Sequence, residues 1–231
     1  MSAGLVLILL APLGVTAAPS LALGVTATAQ QPVATQLAGR VPATAVAAVS
    51  ALADSAARRG LPVEPLVEKA IEGGAKAAAP ERIVAAVQAV LARLGHAQGA
   101  LQAAGVGTPA PDAIEAGGFA LSAGLKDGNV QDVAVACGTR YSAAAALRVA
   151  GTLSALGVSP AETVELVRQT LRSGAKERDL LALPGRLQAE MAQGATPAQA
   201  AAGLARAAAA RAAAPGQARV PPRAPPTSHR P

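Results

Sequence analysis

The stretch GVSPAETVELVRQTLRSG, residues 157–174, carries the signals of one complete helix. Ser159 and Glu162 have the spacing of a capping box, with a proline at the first helical position. Apolar residues then recur at three- and four-residue intervals, as they do on the buried face of a helix. Gly174 closes the segment, since glycine readily adopts the left-handed conformation that ends many helices. We therefore predict a helix over residues 160–173.

The same punctuation divides the rest of the chain into helical segments. Glycine and proline separate stretches rich in Ala, Leu, Val, Glu, Arg and Gln, which favour or tolerate the helix, and no strand pattern occurs. Helices are expected to end at Gly60, Gly95, Gly157 and Gly174. The predicted helices span residues 42–59, 64–74, 80–94, 97–104, 110–123, 129–137, 141–156, 160–173, 177–193 and 197–213. The fold class is therefore predicted to be all-α.

Three of the four lysines recur at a fixed interval. Lys76, Lys126 and Lys176 are spaced by 50 residues, and each follows a glycine by two positions. Apolar residues before these glycines and a new helix after each lysine extend the match. The pattern predicts about three helical repeats that stack into a short α-solenoid. The alternative is an irregular helical bundle, because an alanine-rich sequence also produces chance similarities.

The same three lysines, Lys76, Lys126 and Lys176, allow two interpretations. On a solenoid they would line one ridge and form a partner-binding surface for an acidic molecule. A lysine just after the end of a helix also complements the negative end of the helix dipole without any partner.

The segment GLPVEPLVEKAIEGGAKAAAPERIVAAVQAVLARLGHAQ, residues 60–98, resembles uncharacterised exported helical-repeat proteins of high-GC bacteria. In those proteins a segment of the type PLVEKAxEGxxK…PERIxxAV recurs. The resemblance implies an exported, helical, alanine-rich protein and carries no known activity.

The N-terminal part of the chain has the composition of an export signal. No charged residue precedes Arg40, and LVLILL at residues 5–10 opens a long apolar stretch. The small residues at 27–29 form a cleavage motif, so residues 1–29 are predicted to be a signal peptide. A linker over residues 30–40 and a helical-repeat domain over residues 41–213 would follow. The alternative is an uncleaved N-terminal anchor in the inner membrane, which is the only membrane contact the sequence predicts.

The C-terminal part is basic and rich in proline. All fourteen acidic residues precede residue 191, and the formal net charge of the whole chain is +6. The composition PGQARVPPRAPPTSHRP predicts a disordered tail over residues 214–231. The tail and the preceding helix either contact a polyanion or serve as a solubilising terminus. The arginines for such a contact are Arg206, Arg211, Arg219, Arg223 and Arg230.

Composition excludes several function classes. Two histidines and one cysteine cannot build a Cys/His zinc or iron–sulfur site, and one Phe and one Tyr without Trp provide no base-stacking platform for specific nucleic-acid binding. Cys137 lies near Arg140, yet a nucleophile needs a base, and the sequence shows no partner that would orient His96. A small buried residue is the preferred interpretation of Cys137. We predict no catalytic residue, no metal site and no cofactor.

These observations predict a non-enzymatic binding or scaffold protein of the cell envelope, either periplasmic or secreted. Its partner would be an unknown protein or an anionic envelope polymer. A membrane-anchored structural spacer and an enzyme with an unrecognised site are the alternatives.

The intact mass of the native protein from fractionated cells tests the predicted export. A soluble chain that begins at Gln30 is expected, because the small-residue motif before it is the predicted cleavage site. A full-length chain in the membrane fraction would contradict cleavage and support the retained anchor.

Overall fold

We describe residues 32–213 from a computed structural model of the protein, and within this range every regular element is a helix. The predicted all-α class is confirmed. No helix among these residues is both long enough and apolar enough to cross a bilayer. The helices are α1 (Val33–Leu37), α2 (Ala43–Arg58), α3 (Glu64–Ala75), α4 (Pro80–Ala103), α5 (Pro111–Ser122), α6 (Asp127–Cys137), α7 (Ala143–Ala155), α8 (Pro160–Arg172), α9 (Glu177–Leu181), α10 (Leu183–Ala192) and α11 (Pro197–Ala213).

Two predictions of helix extent are wrong, and the other helix bounds differ from the structure by at most two residues. The predicted helices over residues 80–94 and 97–104 are one helix, α4, which continues through the expected end at Gly95. A Cβ at Gly95 would lie 2.6 Å from a guanidinium nitrogen of Arg59, so the glycine makes room for a neighbouring side chain instead of ending a helix. The predicted helix over residues 177–193 is divided between α9 and α10. Pro184 lacks the N–H that a continuous helix would use at this point.

The predicted linker contains a short helix. Helix α1 occupies residues 33–37 and contacts α2 and α3, and the Leu37 side chain is completely buried. Val33 and Leu37 are four residues apart and both pack on the core, which explains why this segment folds. The predicted signal peptide, the first two residues of the predicted linker and the predicted tail lie outside the described residues.

One arrangement of hydrogen bonds ends most of the longer helices. At Gly157 the backbone turns left-handed with φ of 93°, and its N–H donates to the Ser154 carbonyl. The next residue, Val158, donates its N–H to Leu153 at 3.2 Å and is 2% exposed. This is a Schellman motif, in which an apolar residue returns to the helix that has just ended. The same pair of hydrogen bonds forms at Gly60, Gly105, Gly124 and Gly194.

The next helix then begins within a few residues. Four times, the backbone N–H of the N-cap residue donates to the side chain three positions later, which is one half of a capping box. The predicted capping box of Ser159 and Glu162 is confirmed, including the return bond from the Glu162 N–H to the serine hydroxyl. The four pairs are Lys126 with Asn129, Ser159 with Glu162, Lys176 with Asp179, and Thr196 with Gln199.

This geometry places the three spaced lysines in two different positions. Lys126 and Lys176 are N-cap residues that follow a left-handed glycine by two positions. Lys76 instead follows the last residue of α3, and the left-handed residue there is Ala77. The 50-residue repeat remains a prediction.

The helices pack in an alternating order. Helix α4 contacts α6, α6 contacts α8 and α8 contacts α11, while α5 contacts α7 and α7 contacts α9 and α10. Alanine is frequent among the buried residues. Its small side chain allows helices to approach closely, but each alanine buries little area. The largest completely buried side chains include Leu66, Ile83, Leu101, Ile114, Leu147, Leu153, Leu166 and Leu187.

Gly74 lies where α3 meets the loop between α1 and α2. A Cβ at this position would overlap the carbonyl oxygen of Arg40, which belongs to the loop between α1 and α2. We expect Gly74→Ala to destabilise the protein by ~1–3 kcal/mol, because the loop must move to admit a methyl group. Urea denaturation of the full chain measures this change.

Gly203→Ala is the matched control. Gly203 lies inside α11 and a Cβ there would meet no heavy atom within 4 Å. Alanine should therefore stabilise this helix by up to ~1 kcal/mol through its higher helix propensity. Equal effects of the two substitutions would contradict the assigned contact between Gly74 and Arg40.

Candidate functional site

Three carboxylates follow one another at four-residue intervals on α3 and face the solvent. Glu64, Glu68 and Glu72 are exposed. The carboxylate of Glu72 accepts hydrogen bonds from Lys69 at 2.7 Å and Lys76 at 2.5 Å, and these bonds lower the pKa of Glu72 to about 2. A carboxylate held ionised in this way does not supply a proton near neutral pH. Lys76 is therefore paired with a carboxylate at the end of its own helix.

The thiol of Cys137 is a packing residue. It is 2% exposed, and burial raises its pKa to about 11. Arg140, the base near Cys137 in the sequence, places its guanidinium 5.4 Å from the ring centre of Tyr141. A buried thiol with a raised pKa is a poor nucleophile at neutral pH, which supports the interpretation of a small buried apolar residue.

The structure describes two of the five C-terminal arginines. Arg206 and Arg211 are exposed on α11. Arg206 borders a cavity of about 420 Å³ between α8 and α11 that Glu162 and Glu165 also line. Two carboxylates beside Arg206 oppose polyanion binding at this point. Arg219, Arg223 and Arg230 lie outside the described residues.

A groove with an apolar floor lies between α3, α4 and α5. We call it the Phe119 groove, because Phe119 is its largest apolar side chain and is 44% exposed. Val90 and Leu94 are four residues apart on α4 and add to the floor. The volume of the groove is about 410 Å³. Its lining residues are Pro65, Glu68, Lys69, Glu72, Val90, Arg93, Leu94, Glu115, Gly118, Phe119 and Ser122.

The rim of the Phe119 groove carries charges of both signs, and most are paired. Glu72 is bound by two lysines, and Glu115 lies 3.5 Å from Arg148. Within residues 32–213, the carboxylate of Glu68 and the guanidinium of Arg93 have no ion-pair partner. The groove thus combines an apolar floor with one available anion and one available cation.

A second concave surface surrounds His96. Arg59, His96, Asp127 and Gln131 line a cavity of about 550 Å³ between the end of α2, α4 and α6. A neighbouring cavity of about 480 Å³ shares His96 and Asp127 and is also lined by Arg93 and Lys126. We call the two cavities together the basic trough.

His96 has a partner that the sequence analysis did not find. Its Nδ1 lies 2.9 Å from a carboxylate oxygen of Asp127, the first residue of α6. The two residues are 31 positions apart, so no local spacing indicated the pair. A His–Asp pair can act as a base toward a nucleophile. Among the described residues, no Ser, Thr or Cys lines either cavity of the basic trough.

Comparisons of the chain with family models, curated proteins and solved structures found no match. The Phe119 groove and the basic trough are therefore the features of the described residues that bear on function.

Proposed function

We propose that the protein is an exported, non-enzymatic binding module that holds a segment of a partner protein in the Phe119 groove. The observation that carries the proposal is the exposed Phe119 ring beside Val90 and Leu94. It is flanked by the charges of Glu68 and Arg93, which have no ion-pair partner among the described residues. Partly exposed aromatic side chains next to an apolar floor are typical anchors of protein interfaces.

The groove fits an amphipathic helix better than a flat surface. Three helices form its walls, and a helix that enters such a groove offers apolar anchors at three- and four-residue intervals. Glu68 on α3 would attract a base of the partner, and Arg93 on α4 would attract an acid. The partner segment is therefore expected to carry an apolar anchor flanked by a base and an acid.

The chemistry of the described residues supports binding over catalysis. The thiol of Cys137 is buried, and the pKa of Glu72 is lowered by its two lysine partners. Export remains supported by the composition of residues 1–29 alone. The alternative of an anchored spacer depends on the same residues, which lie outside the structural description.

The test is a selection of displayed helical peptides on the full-length protein, followed by affinity measurement with variants. Phe119→Ala should weaken the selected peptides at least tenfold, about 1.4 kcal/mol, because the ring is the proposed anchor. Glu68→Lys should weaken peptides that carry the flanking base and leave peptides without it unchanged.

Val135→Ala is the matched control, since Val135 on α6 is 59% exposed and lies outside the groove. Its effect on affinity should stay within about twofold, because rim and remote truncations contribute little to binding. Failure to select any peptide, or equal binding to the Phe119→Ala and Val135→Ala variants, would contradict the proposal. Circular dichroism of each variant verifies that the helices are retained.

A further inference from the structure

The basic trough gathers positively charged groups from three helices. Arg59 follows the last residue of α2, Arg93 and His96 lie three residues apart on α4, and Lys126 caps α6. Residues three apart share a helix face, so Arg93 and His96 reach the trough together. The fold thus brings four basic groups of separate sequence positions to one concave surface.

The charge of the trough is not balanced locally. Within residues 32–213, Asp127 is the single acid that lines the two cavities, and it is hydrogen-bonded to His96. In the described part of the chain, the side chains of Arg59, Arg93 and Lys126 form no ion pair. A concave surface with uncompensated charge of one sign concentrates ligands of the opposite sign.

The floor of the larger cavity is open at one position of α4. A Cβ at Gly99 would meet nothing within 4 Å, whereas the guanidinium of Arg59 lies over Gly95, four residues earlier. Gln131 adds a side-chain amide to the lining.

The distribution of the basic groups indicates the kind of ligand. Arg59 lines one cavity, Arg93 and Lys126 line the other, and His96 lines both. A small anion would contact the groups of one cavity, whereas a chain with repeated anionic groups would contact both. In the part of the chain that the structure describes, no Phe, Tyr or Trp lines either cavity, so this part offers no platform on which nucleic-acid bases would stack.

We propose that the basic trough binds a linear, non-nucleic polyanion that carries repeated phosphate or carboxylate groups. The site is separate from the Phe119 groove, and Arg93 is the one residue that lines both. The proposal does not require that the groove binds a protein.

The experiment titrates the full-length protein with inorganic polyphosphate and with polygalacturonate at several salt concentrations. The combined substitutions Arg59→Gln, Arg93→Gln and Lys126→Gln should weaken binding at least tenfold and reduce its salt dependence, because fewer counterions are released on binding. The two polymers distinguish a phosphate ligand from a carboxylate ligand, and binding of either one supports the proposal.

The control variant removes the same charge elsewhere. Arg82→Gln, Arg172→Gln and Arg178→Gln alter exposed bases that line neither cavity, and both variants retain the same basic C-terminal sequence. This variant should bind within about twofold of the unmodified protein if the trough is the site, because the salt-dependent contacts remain. Equal weakening in both variants would show diffuse attraction by net charge and overturn the proposal.

Two other results would also overturn it. One is the absence of binding to either polymer at physiological salt. The other is a single-stranded oligonucleotide that binds more tightly than both polymers and depends on the same three residues, since the ligand would then be a nucleic acid. Peptide affinity at the Phe119 groove, measured on a variant with only Arg59→Gln and Lys126→Gln, reports separately on the proposed function.

Discussion

At five helix ends within residues 32–213, the residue that follows a left-handed glycine controls the path of the chain. Its N–H returns to the helix that has just ended, and in Leu61, Leu125 and Val158 its side chain is buried in the core. One residue therefore satisfies a helix-end carbonyl and fixes the direction in which the chain leaves. These turns act together with the buried Leu, Ile and Val side chains of the core, because each alanine buries little area in a helix contact.

Small residues where helices meet also help to explain the two concave surfaces. Where neighbouring positions are glycine or alanine, adjacent helices leave concave spaces between their longer side chains. Gly99 leaves the basic trough open in this way, whereas Leu94 packs over Gly118 in the Phe119 groove and Arg59 lies over Gly95. The charged residues at the edges of these spaces then determine which chemistry each one accepts. A fold with few aromatic residues can thus carry two surfaces of different character.

The sequence predicted what depends on neighbours along the chain. The capping box of Ser159 and the helix ends at Gly60, Gly157 and Gly174 follow from local backbone preferences, and all of them are present. Gly95 was misread because its small size serves a contact with Arg59, which lies 36 positions earlier. Local rules do not distinguish a glycine needed for its backbone from one needed for its missing side chain.

Neither candidate surface could be predicted from the sequence, since each combines residues of three helices. The partner of His96 comes from α6, and Phe119 becomes prominent only because it is exposed beside the floor formed by α4. The sequence does carry a signal of the turns, a six-residue pattern of Gly, an apolar residue, any three residues and then Asn, Asp, Gln or Glu. It occurs at residues 124–129, 157–162, 174–179 and 194–199. This pattern marks four helix junctions. The 50-residue spacing of the lysines instead groups two N-cap residues, Lys126 and Lys176, with Lys76, which follows the end of a helix.

Native-state hydrogen exchange tests most directly whether these turns hold the fold together. The amide groups of Leu125 and Val158 donate to the carbonyls of Ala120 and Leu153 across the left-handed glycines. If the turns are integral to the core, these two amides exchange only through openings that cost nearly the full free energy of unfolding. Exchange of both amides at the rate of an unstructured peptide, while amides in the middle of α5 and α7 stay protected, would contradict this account.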